Sequence, residues 1–388
     1  MSQLSDSQSG QVGAKVQMPE IRLGGLDGLR GLTMLMVIFT HLNVLSSGWL
    51  GLESFFVLSG FLITRILLSD RESSEGLGPY FRRFYIRRLL RVFPIYYAYL
   101  LAVLVVAYTV PALARIQGEM PYAFLYVYNF RMIADHEHTK MLGHLWSLSV
   151  EEQFYLFWPW LIALVPRRRI PAVCLGLIFV GPLVRQWLHS SLFVGMGAEE
   201  HRLAIYTYIF TLSHLDAFAF GALVNFVSWR PSLKIVAWFG AAAIALGLAV
   251  NGWFGMNTLS LGWPVFMPNG YQYAWGYTVV GFFWFMVICS ILGGGAIYRF
   301  FSNAVLDYLG KRSYSTYIVH FPLLALMDPL WKMSIAMAGK WLGTGLFAVP
   351  YLAVVFLVAA ITYRYIEMPM NTMKDRFRAS RKPEGAAA

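Results

Sequence analysis

Residues 144–164 read HLWSLSVEEQFYLFWPWLIAL. Most of these residues are apolar or small, and the stretch is long enough to cross a bilayer core of about 30 Å as a helix. Glu151, Glu152 and Gln153 interrupt it, seven to nine residues after it begins. Carboxylates inside hydrocarbon are costly and mark function by default. The stretch therefore predicts a membrane-spanning helix that carries reactive groups.

The rest of the chain has the same apolar character. Hydrophobic residues make up 58% of it and charged residues only 13%, against about 25% charged residues in soluble domains. We therefore predict an all-α, polytopic integral membrane protein with about ten transmembrane helices. The predicted spans are 30–48, 50–68, 93–111, 144–165, 170–188, 204–227, 235–251, 277–295, 314–331 and 341–363.

The basic residues are distributed unevenly over this predicted topology. The chain has 31 Lys and Arg against 20 Asp and Glu. Most of these cations fall on the same side of the membrane as the N-terminus, which the positive-inside rule identifies as the cytoplasm. Both termini are therefore predicted to be cytoplasmic, and the charge indicates a lipid surface, with no nucleic acid partner. The expected domains are a disordered lead at 1–22, a membrane domain at 23–370 and a basic tail at 371–388.

Arg30 and His41 lie eleven residues apart in the first predicted span. Eleven helical steps of about 100° make about three full turns, so both side chains share one face, about 16 Å apart along the axis. An intramembrane histidine also serves as a structural hydrogen-bonding partner between helices. Because His41 shares a helix face with Arg30, a functional pair is favoured. Arg30 is predicted near the cytoplasmic edge and His41 near mid-membrane.

Polar residues of the second and fourth spans are predicted at the depth of His41. By helical rise, Ser59 lies about 14 Å below the outer surface, and Glu151 and Glu152 lie about 10–12 Å below it. Ser59 precedes Gly60, and small residues of this kind also serve close helix packing. The two glutamates have little structural role in an apolar helix, so they are candidate catalytic groups.

A run of arginines leads into the third span. Residues 82–94 read RRFYIRRLLRVFP, at the end of a predicted cytoplasmic loop at 69–92. Three of these arginines share one face at helical spacing, and a guanidinium fork binds phosphate bidentately. The candidates for holding a phosphorylated ligand are Arg82, Arg83, Arg87, Arg88 and Arg91.

Weaker candidates lie towards the C-terminus. Tyr317 and His320 stand in the ninth predicted span, and Glu367 follows the tenth. Glu367 lies three residues after Arg364, which is also the spacing of an ordinary helix pair. No cluster of His and Asp has metal-ligand spacing, so no metal site is expected.

These motifs, in this order, resemble the membrane acyltransferase-3 family from about residue 24 to residue 370. Members are bacterial inner-membrane enzymes that acylate, and usually acetylate, hydroxyls of surface carbohydrates or of small secreted metabolites. The resemblance therefore implies a multi-pass protein of the bacterial inner (cytoplasmic) membrane that uses acyl-CoA, usually acetyl-CoA. It rests on the Arg30–His41 spacing, the arginine-rich entry to the third span, FFVLSGFL at 55–62, HLWSLSVEEQFY at 144–155, SYSTYIVHFP at 313–322 and YRYIEMP at 363–369.

The resemblance also implies roles for individual residues. His41 is the catalytic histidine, Arg30 is its motif partner, and the third-span arginines help to hold acyl-CoA. Many members carry Arg two residues before an Asp in the sixth span, whereas this chain has His214 before Asp216, so no role carries over to that pair. Members with a fused outer esterase-like domain need more chain after Glu367, and the single-domain type is therefore expected.

The expected chemistry is acyl transfer from cytoplasmic acyl-CoA to an outer hydroxyl, with His41 as general base. Such a base contributes typically 10²–10⁴-fold to the rate. Glu151 or Glu152 is expected to orient the imidazole and stabilise its protonated form. Direct transfer is expected, and an acyl-serine or acyl-histidine intermediate is the alternative. Three further residues are candidate donors to the developing oxyanion: Ser59, Trp146 and Ser147.

Two other classes of protein share some of these features. Ten spans with an intramembrane histidine and carboxylates also describe a proton-coupled transporter, although the sequence has no convincing internal repeat. The second class is a non-catalytic protein that binds lipid or glycan. Such a protein would need neither Arg30 and His41 on one helix face nor two adjacent glutamates inside a span. The acceptor stays open among a cell-envelope carbohydrate, which is favoured, and a small secreted metabolite.

Overall fold

The computed structural model describes residues 24–135, 139–252, 262–263, 272–375 and 377, and every regular element among them is helical. The predicted all-α class is therefore confirmed. The lead at 1–22 and most of the tail at 371–388 lie outside the described residues. The α-helices are α1 Gly24–His41, α2 Leu50–Ser73, α3 Leu77–Thr109, α4 Ile116–Phe124, α5 Tyr128–Asp135, α6 Leu145–Leu164, α7 Ile170–Trp187, α8 Phe193–Gly195, α9 Glu200–Ile209, α10 Leu215–Leu223, α11 Leu233–Gly252, α12 Tyr277–Gly293, α13 Gly295–Phe301, α14 Ala304–Lys311, α15 Ser313–Ala338, α16 Lys340–Thr362 and α17 Met368–Asp375.

A helix coincides with each of the ten predicted spans. Within the described residues, six helices are long and apolar enough to cross a membrane, and a seventh is added if a bent pair forms one span. This pair, Arg202–Ile209 and Thr211–Leu223, bends by 69°, so the stretch predicted at 204–227 consists of two helices, and its crossing of the membrane stays a prediction. The protein is thus a multi-pass membrane protein, while the count of ten and the sides of the termini stay predictions.

Helices α1, α6 and α15 are not among the six helices that are long and apolar enough to cross a membrane. All three carry polar side chains of the predicted site. Polar groups inside a membrane bundle face its interior or a water-filled cavity. These three helices are therefore expected to line an internal site.

The loop predicted at 69–92 is almost entirely helical. Helix α2 continues to Ser73, and α3 begins at Leu77 after Gly76, which has a φ of 99°. Arginine and leucine are good helix formers, and Arg87 of α3 pairs with Asp70 of α2 across the turn. The arginine run therefore lies on a helix that projects beyond the predicted span.

The first predicted span ends earlier than expected. Helix α1 ends at His41, and the chain then turns through Asn43, which has a φ of 55°. After this turn the chain packs closely against α1 at Gly48. A Cβ at this position would lie 2.1 Å from the carbonyl oxygen of Met36, so only glycine fits there. His41 therefore lies at the end of its helix, and not in the middle of a span.

Close backbone packing holds α2 against α10. A Cβ on Gly60 would lie 2.1 Å from the carbonyl oxygen of Phe218, and a Cβ on Gly221 would lie 1.9 Å from that of Val57. Glycines allow such approach between membrane helices. Gly60 thus serves packing, and it leaves the neighbouring Ser59 hydroxyl free to form other contacts.

Candidate active site

Two cavities lie end to end inside the helical bundle. The first, which we call the basic cavity, has a volume of about 100 Å³ and is lined by Arg30, Arg88 and Arg91. The second, the histidine cavity, has a volume of about 530 Å³ and is lined by His41 and His144. Leu52 and Tyr317 line both cavities, so these two side chains form the junction between them.

Four helices run past both cavities. Along α1 the chain passes from Arg30 in the basic cavity to His41 in the histidine cavity, a rise of about 16 Å. Helix α15 runs the same way, from Ser313 to Phe321, while α2 and α6 run in the opposite direction. The predicted shared face of Arg30 and His41 therefore follows the axis that joins the cavities.

Arg88 lies in a dense ionic cluster at the wall of the basic cavity. Its guanidinium donates to Glu152 Oε1 at 3.0 Å and lies 3.8 Å from Glu151 Oε2. It also lies 3.6 Å from the centre of the Tyr155 ring, a cation–π arrangement. The charge of Arg88 is thus largely compensated by the protein.

Arg91 lies one turn further along α3 and also lines the basic cavity. It forms no hydrogen bond or ion pair with any described residue, and it is only partly buried. Arg30 donates to Asp27 Oδ1 at 2.7 Å. Arg91 is therefore the cation of this cavity with the most unused donors for a ligand.

The other three predicted arginines do not line the cavity. Arg87 pairs with Asp70, and Arg83 donates to Ser73 Oγ at 3.0 Å. Arg82 is exposed. Arg87 lies one turn before Arg91, but its guanidinium is taken up by Asp70 of α2 and does not enter the cavity.

Ser59 and Glu151 meet as the depth calculation predicted. The Ser59 hydroxyl donates to Glu151 Oε1 at 2.6 Å, and Tyr155 Oη donates to Ser59 Oγ at 2.8 Å. Ser59, Glu151 and Tyr155 all line the basic cavity. A serine that donates to a carboxylate and accepts from a phenol is fixed in one orientation, with its oxygen beside the cavity.

The expected contact between His41 and a glutamate does not form. Within the described residues, Glu151 bonds to Ser59 and Glu152 bonds to Arg88, and neither reaches His41. The reason is axial position, because His41 ends α1 at the level of His144, and Glu151 lies about 10 Å further along α6. The idea that one of these glutamates orients the His41 ring is therefore wrong; any other catalytic role stays a prediction.

His41 instead lies beside aromatic and imidazole rings. Its ring centre is 5.3 Å from that of His320 and 4.5 Å from that of Phe321. His144 lines the same cavity, and its ring centre is 5.6 Å from that of His320. No group of three His, Cys, Asp or Glu in the described part of the chain has an arrangement that could hold a metal ion.

Tyr317 is held in place at the junction of the cavities. Its hydroxyl donates to the carbonyl oxygen of His144 at 2.8 Å and shares a short hydrogen bond with Ser147 Oγ. Ser147 lines the basic cavity, whereas its neighbour Trp146 lines the histidine cavity. The candidate oxyanion donors are thus divided between the two cavities, with Tyr317 between them.

Glu367 lies behind the site and not in it. It is buried in the short π-helix Tyr363–Glu367, and Ser315 Oγ donates to it at 2.7 Å. The contact ties the end of α16 to α15 two residues before Tyr317. The predicted supporting role of Glu367 is compatible with this position and stays a prediction.

A buried pair that the sequence reading did not single out lies beside the histidine cavity. His214 Nδ1 is 2.8 Å from Glu53 Oε1, and both side chains are almost fully buried. The His214 ring stacks on Trp146, and His214 Nε2 donates to the carbonyl oxygen of Tyr208 at 2.7 Å. Trp146 and Tyr208 line the cavity, so His214 supports its wall. The one sequence feature that could have indicated this pair is Glu53, a carboxylate inside an apolar run.

Asp216 pairs with Arg185 and not with its neighbour in sequence. Arg185 is fully buried and donates to both carboxylate oxygens of Asp216 at 2.7 and 2.8 Å. It also donates to Ser213 O at 2.6 Å and Thr278 Oγ1 at 2.7 Å. This network joins α7, α10 and α12. It could not be predicted from the sequence, because its residues lie far apart along the chain.

A family model described as an acyltransferase domain matches residues 23–364, which include both cavities. The chain belongs to the acyltransferase-3 family. The resemblance carried by the sequence motifs is thereby confirmed over nearly the same range. No solved structure matches the chain.

Several curated relatives of the family align with most of the chain. The peptidoglycan O-acetyltransferase OatA of Listeria monocytogenes is 29% identical over 365 residues, which cover 89% of this chain and 55% of that protein. The O-acetyltransferase OatA of Staphylococcus aureus is 28% identical over 373 residues, which cover 92% of this chain and 58% of that protein. The chain therefore spans little more than half the length of these relatives.

Proposed function

We propose that this protein is a membrane O-acyltransferase of the bacterial inner membrane that moves an acetyl group from cytoplasmic acetyl-CoA to a hydroxyl of a cell-envelope glycan. The observation that carries the proposal is the pair of cavities that meet at Leu52 and Tyr317. A basic cavity on one side and a larger histidine cavity on the other suit two substrates that arrive from opposite faces. The relatives' names add acetyl transfer and, for one of them, peptidoglycan.

The basic cavity is the proposed entrance for the donor. Arg91 has unused donors and Arg30 lies across the same cavity, so both suit the phosphates of coenzyme A. The cavity extends from Arg30 and Arg91 to Tyr317, which gives the pantetheine arm a route towards the histidine cavity. The thioester would then arrive at the junction, next to the histidine cavity.

The histidine cavity is the proposed acceptor site. Its volume of about 530 Å³ lies within the usual range for small-molecule sites, about 300–1,000 Å³. Trp49, Trp146 and Tyr208 supply flat aromatic faces, and Asn43 and Ser46 supply polar groups. That combination suits a sugar, which has apolar ring faces and hydroxyls at its rim.

The proposed chemistry is direct transfer with His41 as general base. The acceptor oxygen attacks the thioester carbonyl while its proton moves to a His41 ring nitrogen. The carbon–sulfur bond breaks, and the imidazolium returns the proton to the coenzyme A thiolate. Tyr317 and Ser147 are the proposed donors to the oxyanion; to donate to it, their hydroxyls turn from the bonds that they now make to His144 O and to each other.

The test uses purified protein in lipid nanodiscs with radiolabelled acetyl-CoA and a peptidoglycan disaccharide. We expect label on the disaccharide and an equal amount of free coenzyme A thiol. His41→Gln should lower the rate by about 10²–10⁴-fold, and Arg82→Ala, on the exposed surface, should leave it unchanged.

Two results would contradict the proposal. One is a His41→Gln protein that retains more than a few per cent of the wild-type rate. The other is movement of a solute across the membrane with no release of coenzyme A, which would identify a transporter.

A further inference from the structure

Two buried histidines flank the cavity wall beside His41, and each has one ring nitrogen fixed by a backbone carbonyl. His144 Nε2 lies 3.2 Å from Ile318 O, and His320 Nδ1 lies 2.7 Å from Tyr317 O. A carbonyl oxygen only accepts, so each of these nitrogens carries the hydrogen. The protein backbone therefore sets the tautomer of both rings.

The second nitrogen of each ring is consequently an acceptor. His144 Nδ1 and His320 Nε2 are both fully buried, and neither has a hydrogen-bonding partner in the described part of the chain. An unsatisfied buried acceptor costs about 1–3 kcal/mol, and native structures contain few of them. One of these lone pairs belongs to His144, which lines the histidine cavity, and the other belongs to His320, which lies beside His41. Together they indicate a partner that binds or forms there.

His41 lies where it can supply that partner. Its ring centre is 5.3 Å from that of His320, and it shares the histidine cavity with His144. No carboxylate of the described residues bonds to it, although a general base needs an acceptor for the N–H of its protonated form. A neutral imidazole does this at a smaller desolvation cost than a carboxylate inside a membrane.

We propose that His144 and His320 are positioning residues whose free nitrogens, Nδ1 and Nε2, accept hydrogen bonds from His41 when it becomes protonated during transfer. This proposal rests on the acyl transfer proposed above. The acceptor hydroxyl gives its proton to one His41 nitrogen as its oxygen attacks the thioester. The other His41 nitrogen donates to a neighbouring imidazole until the proton passes to the coenzyme A thiolate. No further reactant is needed.

Substitution by glutamine or asparagine tests the roles of the two ring nitrogens separately. A glutamine amide occupies the place of Nε2, and an asparagine amide occupies the place of Nδ1. His144→Gln and His320→Asn therefore keep the bond to the backbone and remove the free acceptor. His144→Asn and His320→Gln do the opposite, so each position supplies its own matched control.

The proposal predicts how the four variants rank in kcat and in melting temperature. His144→Gln and His320→Asn should lose about 10- to 100-fold in kcat, which corresponds to a hydrogen bond to a charged group. Their KM for acetyl-CoA and their melting temperature should be unchanged. His144→Asn and His320→Gln should melt at a lower temperature but keep the larger share of kcat. The reverse order in kcat would mean that both histidines serve only to join helices, and the proposal would be wrong.

A measurement without turnover separates this proposal from the proposed function. Nitrogen-15 solid-state NMR of histidine-labelled protein in bilayers identifies protonated and unprotonated ring nitrogens, and the glutamine and asparagine variants assign the signals. We expect one unprotonated nitrogen in each of His144 and His320. A doubly protonated ring, or a hydrogen on His144 Nδ1 or His320 Nε2, would overturn the proposal even in a protein that transfers acetyl. Failure to transfer acetyl with the expected tautomers would instead reject the proposed function.

Discussion

At the scale of single residues, Arg88 and Arg91 differ sharply although they lie one turn apart on α3. Arg88 is compensated by Glu152 and packs on Tyr155, so a second anion gains little from it. Arg91 faces the same cavity with no protein partner among the described residues. A cation that lines an internal cavity without a protein partner is costly in a membrane protein, which is the reason to expect an anionic ligand beside Arg91.

Replacement of Arg91 tests this difference. Arg91→Ala should raise the KM for acetyl-CoA about 10- to 100-fold, because it removes a charge-assisted hydrogen bond to phosphate. The KM for the acceptor should stay the same. Arg82→Ala is the matched control on the same helix and should change neither constant. Equal effects of the two substitutions on acetyl-CoA would place the phosphates at the protein surface and not in the basic cavity.

At the scale of elements, regular features were predictable and long-range pairings were not. Apolar runs and the eleven-residue spacing locate the helices and the shared face of Arg30 and His41. Helical rise correctly brings Ser59 to Glu151, because both lie deep within continuous helices. Helical rise predicts the wrong position for His41 along its helix. The end of α1 depends on the turn at Asn43 and on the contact between Gly48 and α1, which the rise does not include.

The missed ion pairs have the same physical origin. Glu53 and His214, like Arg185 and Asp216, come from distant parts of the chain. Nothing in local spacing or hydropathy links them, because their partners are chosen by how the helices pack. The bend between α9 and α10 was missed as well, because it too depends on how the helices pack.

The Arg185–Asp216 pair gives a prediction about helix association. Asp216→Ala would leave the fully buried Arg185 without its carboxylate, and breaking such a pair costs about 3–5 kcal/mol. We expect a clearly lower melting temperature in detergent. Asp307→Ala, which breaks the more exposed pair with Lys311, should cost about 0–1 kcal/mol. Similar melting temperatures for the two variants would mean that α7, α10 and α12 associate without this network.

At the scale of the whole molecule, the proposed function assigns the two cavities to substrates from two compartments. The positive-inside rule predicts that the arginine-rich end of the bundle, where the basic cavity lies, faces the cytoplasm. In the proposed reaction acetyl-CoA comes from the cytoplasm and the glycan acceptor from outside, so neither substrate crosses the membrane if they meet at Leu52 and Tyr317. This arrangement requires each cavity to open to one side only.

Cysteine accessibility tests that requirement directly. Ile66 lines the basic cavity and Ser46 lines the histidine cavity, while the native Cys174 and Cys289 are buried and should not react. A charged, membrane-impermeant thiol reagent should label Ile66→Cys only in inside-out vesicles, and acetyl-CoA should protect it. The same reagent should label Ser46→Cys only in right-side-out vesicles, without protection by acetyl-CoA. Labelling of both variants from one side would mean that donor and acceptor share an entrance, and transfer across the membrane would then be excluded.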